Sequence, residues 1–364
     1  MSRILVTGKD GQVGFELQRS LAGLGQVIAL GREQMDLSQP DSIRRTLRDI
    51  GPDLIVNAAA YTAVDLAESE PELAMAVNGI APGILAEEAK RLGAALIHYS
   101  TDYVFDGNRL EGNRLGANRS EGTTAAAPYT KDYAPHTGDD APHTGDDARH
   151  AEDDAPHTED ATLYTGDDSP YTEDDAPCPI NVYGRTKLAG EQAIQAVGVA
   201  HLILRTSWVY GMRGKNFLLT MLRLAQERDE LRIVDDQIGA PSWSRALARA
   251  TADILTHLGY AKPGFGDACA RQSGVYHLSA AGQTSWHGFA AAILAHAASP
   301  ERGQSAYALA RVPALKPIST EQYPLPAPRP RYSVLVHAKL QRAFGVAMPD
   351  WKTSLAECMS RGGQ

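Results

Sequence analysis

Short apolar runs alternate with amphipathic stretches of helical length along the first hundred residues of this 364-residue chain. The runs predict strands at 4–6, 27–30, 54–57 and 95–100. The stretches between them predict helices near 13–24, 41–50 and 81–92. Because residues 54–56 are apolar at consecutive positions, that strand is expected to be covered on both faces. This order predicts an α/β fold built on a doubly wound parallel sheet.

The alternation resumes after residue 180. Here the pattern predicts a helix at 182–197, a strand at 201–204 and a helix at 217–227. The last third is less regular, with helical patterns near 244–258 and 286–297. We therefore expect a first dinucleotide-binding part at 1–107, an insertion at 108–178 and a second dinucleotide-binding part at 179–210. The remainder, 211–364, is expected to form mainly a smaller α/β substrate-binding lobe, with segments that return to the sheet.

Residues 127–175 form a tandem repeat with a period of seven residues, rich in proline, histidine and aspartate. This segment contains fifteen Asp and Glu residues but only two basic residues, Lys131 and Arg149. It therefore contributes most of the negative charge in the net charge of −9 for the whole chain. The repeat has almost no aliphatic side chains, and burial cannot offset the cost of ordering its backbone. We expect a disordered acidic loop. Metal binding by histidines that recur every seven residues is the weaker alternative.

Several classes of protein are excluded by composition. No apolar run approaches the ~18 residues of a membrane helix, and the apolar run near the N-terminus is too short for a signal peptide. The three cysteines form no C-x-x-C pair, which argues against a disulfide framework or a zinc site. We expect a cytoplasmic protein that has neither nucleic acid nor membrane as a partner.

Glycines at 8, 11 and 14 lie between the first strand and the first helix. Such a turn brings the backbone close to a pyrophosphate, and the helix N-terminus presents free N–H groups to it. This predicts a Rossmann-type dinucleotide site. Arg32, at the end of the second strand, favours the 2′-phosphate of NADPH over the free ribose of NADH. The candidate cofactor-binding residues are Gly8, Gly11, Gln12, Val13, Gly14, Arg32, Asp36, Leu37, Ala59, Ala60, Tyr61, Thr62 and Lys187.

The strongest catalytic signal is Tyr183 followed four residues later by Lys187, which places both side chains on one face of a helix. One ammonium about 4 Å from a phenol, at an effective dielectric near 20, lowers its pKa by about 3 units. We therefore expect Lys187 to lower the pKa of Tyr183. Thr101 ends the fourth strand, where ligands bind in open α/β sheets, and can polarise a substrate carbonyl.

Six stretches carry a resemblance to a known family. They are residues 11–17, 57–65, 99–105, 181–187, 205–210 and 236–241. Together they resemble the extended short-chain dehydrogenase/reductase family, and within it the dTDP-4-dehydrorhamnose reductases. The chain departs from that pattern in the 75 residues at 106–180, where the family has a much shorter connection. Tyr332 and Val336 also stand where asparagine and aspartate are common, which puts details of the substrate lobe in doubt.

The resemblance implies NADPH-dependent reduction of a dTDP-4-keto-6-deoxy sugar at C4 to dTDP-L-rhamnose, a donor for cell-surface polysaccharides. It implies catalytic roles for Tyr183, Lys187 and Thr101, and a sugar pocket lined by Thr101, Asp102, Tyr103 and Trp208. Some members dimerise with bound Mg²⁺ and others need no metal, so the sequence leaves both a homodimer and bound Mg²⁺ possible and predicts no metal-binding residues. A related nucleotide-sugar epimerase or dehydratase, or a non-catalytic regulatory subunit, are the alternatives.

Overall fold

The structure is a computed structural model that describes residues 2–108, 169–299, 308–309 and 311–360. Met1–Leu110 and Pro170–Gln364 form one compact unit. The expected disorder of the acidic repeat and the alternative of metal binding by its histidines fall on 109–168, which lie outside the described residues.

The strands confirm the predicted parallel architecture. In chain order they are β1 Arg3–Thr7, β2 Gln26–Leu30, β3 Leu54–Asn57, β4 Ala95–Thr101, β5 His201–Thr206, β6 Val209–Tyr210, β7 Glu230–Val234, β8 Ile238–Gly239, β9 Ser242–Trp243, β10 Gly274–His277, β11 Thr284–Ser285 and β12 Ala314–Ile318. Six of them form the central sheet, in the order β10-β5-β4-β3-β1-β2, and every neighbouring pair in it is parallel. Three further strand pairings in the described part of the chain lie outside that sheet: β11 with β8, β12 with β7 and β6 with β9.

Helices connect the strands. They are α1 Gln12–Ser20, α2 Pro40–Ile50, α3 Val64–Ser69, α4 Pro71–Met75, α5 Ala81–Leu92, α6 Val182–Val197, α7 Phe217–Glu227, α8 Ser244–His257, α9 Phe265–Arg271, α10 Trp286–Ala297, α11 Ala338–Phe344 and α12 Trp351–Ser360. The helix expected to reach residue 24 already ends at Ser20. Glycines at 23 and 25 follow it, and glycine is unfavourable in a helix interior.

Alternation along β1 builds two cores on opposite faces of the sheet. Ile4 and Val6 lie in a cluster with residues of α1 and α8, whereas Leu5 lies in a cluster with residues of α2, α5 and α6. All three β1 side chains are fully buried, as a strand covered on both faces requires. A third core, formed by α7, α10 and α12, holds the C-terminal lobe together. Both α8 and β10 come from the predicted lobe at 211–364 and join the layers of the central sheet.

The last part of the predicted insertion is ordered. The backbone N–H of Tyr171 donates to the carbonyl of Val334 at 2.8 Å. The Tyr171 ring stacks on Phe105, with centroids 4.1 Å apart and an interplanar angle of 8°. The compact unit therefore resumes at Pro170 rather than at the expected residue 179.

Within the described part of the chain, no helix combines the length and the apolar character needed to traverse a bilayer. The same residues contain no group of three His, Cys, Asp or Glu side chains placed to hold a metal ion.

Candidate active site

A cleft of about 620 Å³ opens at the carboxyl ends of the central strands, where open α/β sheets bind their ligands. It is lined by thirteen of the residues singled out from the sequence: Gly8, Gly11, Gln12, Val13, Arg32, Asp36, Leu37, Ala59, Ala60, Tyr61, Thr62, Tyr183 and Lys187. Of the predicted cofactor residues, Gly14 alone does not line it. The structure thus brings the predicted dinucleotide residues together with the Tyr/Lys pair.

The glycine turn fits a dinucleotide pyrophosphate. Gly8 has a φ of +69°, and a Cβ there would lie 3.0 Å from the backbone of Ala59. A Cβ on Gly14 would lie 2.1 Å from the carbonyl oxygen of Gly8, so this glycine lets α1 approach the turn instead of lining the cleft. No side chain caps the N-terminus of α1 at Gly11. Its N–H groups face the cleft at Gln12 and Val13 and are available to phosphate oxygens.

Arg32 lines the same cleft. Its side chain is 75% exposed, and its Nε lies 3.6 Å from the Asp36 carboxylate. Asp36 also accepts from the hydroxyl of Ser38 at 2.8 Å, which ties the carboxylate to the loop after β2. The guanidinium therefore projects into solvent at the cleft wall, where it can meet an added phosphate.

Helix α6 places Tyr183 and Lys187 because its first turn is firmly held. Asn181 caps the helix by accepting from the N–H of Gly184 at 2.7 Å. A Cβ on Gly184 would lie 2.1 Å from the carbonyl oxygen of Tyr103, so glycine is needed for this close approach. One turn later, the buried Lys187 Nζ donates to the Tyr99 carbonyl at 2.6 Å and lies 3.3 Å from His98 Nε2.

Thr101 lies close enough to the Tyr183 phenol to affect its pKa, and its hydroxyl donates to the Asp102 carboxylate at 3.0 Å. Burial of the phenol raises the pKa of Tyr183 to about 12, and the neighbouring Thr101 hydroxyl acts in the opposite direction. The expected lowering by Lys187 is therefore wrong for this structure. The Lys187 Nζ is directed at the Tyr99 carbonyl and at His98, and burial lowers the pKa of this amine to about 8.

The candidate sugar-pocket residues divide into two groups. Asp102 is 1% exposed, and burial raises the pKa of its carboxyl to about 6. Tyr103 meets Tyr183 edge-on, with ring centroids 5.5 Å apart. Trp208 is stacked on Trp286, with centroids 3.6 Å apart and an interplanar angle of 5°. Its φ of +45° is unusual for a bulky side chain and marks local strain.

Ser100, Thr206 and Lys215 also line the cleft, although none of them is among the candidate site residues predicted from the sequence. The hydroxyls of Ser100 and Thr206 are buried without a hydrogen-bond partner among the described residues, although both side chains line the cleft. Orphaned hydroxyls in a cleft wall are suited to polar atoms of a ligand. The signal for them was their position at the carboxyl ends of β4 and β5. Lys215 also lines the cleft and adds a positive charge near the glycine turn.

The parallel sheet, the glycine turn and the Thr/Tyr/Lys set define a nucleotide-cofactor-dependent oxidoreductase of the short-chain dehydrogenase/reductase type. The family model of the RmlD substrate binding domain matches residues 1–132 and 160–363. The chain belongs to the dTDP-4-dehydrorhamnose reductase family.

Individual relatives support this assignment. The chain is 43% identical over 358 residues to dTDP-4-dehydrorhamnose reductase of Burkholderia thailandensis, with 98% of each chain covered. It is 38% identical over 361 residues to the enzyme of that name from Escherichia coli K12, with 98% of this chain and 97% of the relative covered. The crystal structure of dTDP-4-dehydrorhamnose reductase from Bacillus anthracis in complex with NADP superposes with a TM-score of 0.73, at 29% identity and 99% coverage of both chains.

Proposed function

We propose that this chain reduces dTDP-4-dehydrorhamnose at C4 to dTDP-L-rhamnose with NADPH as the reductant. The observation that carries the proposal is that Tyr183, with Thr101 next to its phenol, lines the same dinucleotide-sized cleft as Lys187 and the glycine turn. The names of the relatives supply the sugar nucleotide. The product is a rhamnose donor for polysaccharide synthesis.

Tyr183 is the proton donor of the proposed reaction. Hydride addition to a ketone leaves an alkoxide, which needs a proton from a nearby acid. With its pKa raised to about 12, the phenol is protonated at neutral pH and can give its proton to the more basic alkoxide. Thr101, the neighbouring hydroxyl, is proposed to stabilise the phenolate that remains by donating a hydrogen bond to it.

NADPH, when bound, supplies the hydride. Gly8, Gly11, Gln12 and Val13 are proposed to hold its pyrophosphate, and Arg32 its 2′-phosphate. Gly14 is proposed to act indirectly, by allowing the shape of the glycine turn. The remaining contacts with the cofactor are proposed for Asp36, Leu37, Ala59, Ala60, Tyr61, Thr62 and Lys187. The complex of the Bacillus anthracis relative with NADP supports the choice of NADPH, with NADH as the weaker alternative.

Asp102, Tyr103 and Trp208 are proposed to bind the sugar nucleotide together with Thr101. Asp102 and Tyr103 follow Thr101 directly, so their backbone lies beside the reacting group. The proposed compartment is the cytoplasm. The division into a dinucleotide-binding part and a substrate-binding lobe also belongs to this proposal.

The test is NADPH oxidation by the purified protein with the 4-keto sugar nucleotide, with identification of the product. Turnover to dTDP-L-rhamnose supports the proposal. Stoichiometric NAD in the purified protein, with no NADPH consumed, would instead identify an epimerase or dehydratase. A stoichiometric protein partner without any reductase activity would identify a regulatory subunit.

A further inference from the structure

A line of buried polar groups runs beneath the candidate active site, from Lys187 to the glycine turn. Lys187 Nζ lies 3.3 Å from His98 Nε2, and His98 Nδ1 lies 2.9 Å from Asn57 Nδ2. Asn57 Oδ1 accepts from the hydroxyl of Thr7 at 2.6 Å. That hydroxyl oxygen in turn accepts from the backbone N–H of Ala59 at 3.0 Å. The line crosses β4, β3 and β1, and ends beside Gly8.

These side chains are closed off from water. Asn57 is 0% exposed, His98 and Lys187 are 1% exposed, and Thr7 is 2% exposed. Leaving a buried polar group without a hydrogen-bond partner destabilises the fold by about 1–3 kcal/mol. Each group in this line is therefore expected to be hydrogen bonded to the next one. The donors and acceptors along the line therefore have to match from end to end.

The tautomer of the His98 imidazole decides which way the hydrogen bonds on either side of it run, because a neutral histidine has one donor nitrogen and one acceptor nitrogen. Burial and the charge of Lys187 hold the pKa of His98 well below its usual range, so this ring is neutral. In the structure, the Asn57 amide donates to His98 Nδ1, which leaves the hydrogen on Nε2. That N–H points at Lys187 Nζ. This arrangement of donors is compatible with an uncharged Lys187 amine, whose lone pair can accept from His98 Nε2–H. It is not compatible with an ammonium, which can only donate.

Rotating the Asn57 amide by half a turn gives the other consistent wiring. Its oxygen then accepts from His98 Nδ1–H, and His98 Nε2 accepts from the Lys187 ammonium. The amide nitrogen donates to the Thr7 hydroxyl oxygen, and the hydroxyl hydrogen that Asn57 had accepted turns toward the cleft that Thr7 lines. We propose that His98 and Asn57 form a two-state hydrogen-bond switch that follows the charge of Lys187, with His98 as the positioning residue that receives the ammonium.

Charged and titratable groups from three elements surround Lys187 in the described part of the chain. Tyr183 and Glu191 lie on α6 itself, one turn before and one turn after the lysine. His98 approaches from β4. Arg205 approaches from β5 and binds Glu191 through two hydrogen bonds of 3.0 and 2.7 Å. Burial lowers the pKa of Lys187 to about 8, and the negative charge of Glu191 opposes that change. Both charge states of Lys187 are therefore accessible near neutral pH.

The direct test reads the tautomer of His98 by nitrogen NMR of the ¹⁵N-labelled protein without added ligand. The His98 signals are assigned as those missing from His98→Gln. We expect the hydrogen on Nδ1 near about pH 6 and on Nε2 near about pH 10 in the wild type, on either side of the amine's titration. In Lys187→Met, which has no amine, the hydrogen stays on Nε2 at both pH values. One tautomer throughout in the wild type, or the same change in Lys187→Met, overturns the proposal.

The kinetic consequence rests on the proposed function and is measured separately. A leucine at 98 offers the ammonium no acceptor, so His98→Leu moves the alkaline limb of the kcat/KM profile about one pH unit lower. His98→Gln restores most of that change, because its amide oxygen can accept. His201→Gln is the control, since His201 is equally a buried histidine but bonds to the Val199 carbonyl.

A uniform loss of activity at every pH in His98→Leu would show a structural role only and overturn the positioning role. No NADPH oxidation by the wild type would refute the proposed function instead. The tautomer measurement still decides the switch in that case, because it needs neither substrate nor cofactor.

Discussion

Arg329 donates two parallel hydrogen bonds to the Asp65 carboxylate, from Nη1 to Oδ1 at 2.6 Å and from Nη2 to Oδ2 at 2.8 Å. The two residues lie 264 positions apart in the chain. Next to Arg329, the carbonyl of Pro328 accepts from Asn181, the residue that caps α6. The pair therefore fastens the C-terminal segment to α3, and the adjacent Pro328 fastens it to the first turn of α6.

Breaking this pair should destabilise the protein and weaken sugar binding. Arg329→Lys loses the bidentate geometry, and Asp65 is more than a third exposed, so we expect a loss of about 1–2 kcal/mol in unfolding free energy. The hydrogen bond from Arg329 lowers the pKa of Asp65 below 3.8. The stabilisation is thus present above that value and is lost as the pH falls through the lower native pKa. Urea unfolding of both proteins at neutral and at acid pH measures it, and an equal loss at both would contradict the ion pair.

Tyr183→Phe should lower kcat by about 10²–10⁴-fold, because the proton donor is gone while the ring remains. NADPH affinity should change little, since the hydroxyl is assigned to the substrate carbonyl. Tyr276→Phe serves as the control, because its hydroxyl bonds to the Gln272 carbonyl. Steady-state kinetics and fluorescence titration with NADPH separate the two effects. Undiminished turnover in Tyr183→Phe would remove the tyrosine from the mechanism.

Arg32→Ala should reduce the preference for NADPH over NADH. A guanidinium contact to a phosphate contributes about 1.5–3 kcal/mol, so KM for NADPH should rise about tenfold or more while KM for NADH stays nearly constant. Arg45→Ala, an exposed arginine on α2, provides the matched control. If both cofactors were affected equally, Arg32 would have no role in reading the 2′-phosphate.

Asp102→Asn should stabilise the fold at neutral pH even as it impairs the enzyme. Burial raises the pKa of this carboxyl from 3.8 to about 6. The native state therefore holds a proton that the unfolded state releases, and stability declines as the pH rises from about 4 to about 6. Asparagine does not titrate, so the variant should gain up to about 3 kcal/mol above that window and nothing below it. Thermal unfolding across pH measures the difference, and a gain that did not depend on pH would speak against this cause.

Gly239→Ala should disturb the sugar site through Trp208. A Cβ at this position would lie 2.5 Å from the indole, which is already stacked on Trp286. The displaced indole should cost about ten- to a hundredfold in kcat/KM for the sugar nucleotide, with NADPH binding intact. Gly23→Ala is the control because a Cβ there meets nothing within 4 Å. An unchanged kcat/KM would exclude Trp208 from the substrate site.

The local pattern of apolar and polar residues was sufficient to predict most of the fold. The runs at 4–6, 27–30 and 54–57 became β1, β2 and β3, because an apolar strand between two helix layers leaves a strong signal in the sequence. The short strand β10, Gly274–His277, was missed. Its four residues carry no periodicity of their own, and it is a strand because β5 lies beside it.

By itself, then, the sequence determined the parallel architecture, the glycine turn and the spacing of Tyr183 and Lys187, since each depends on residues close together in the chain. The tertiary structure decided the direction of the Lys187 amine and the pKa of Tyr183, for which the expectation was wrong. It also decided that His98 and Asn57 would lie beneath the lysine. Burial and hydrogen bonding depend on neighbours that are distant in sequence, and only the folded chain brings those neighbours into contact.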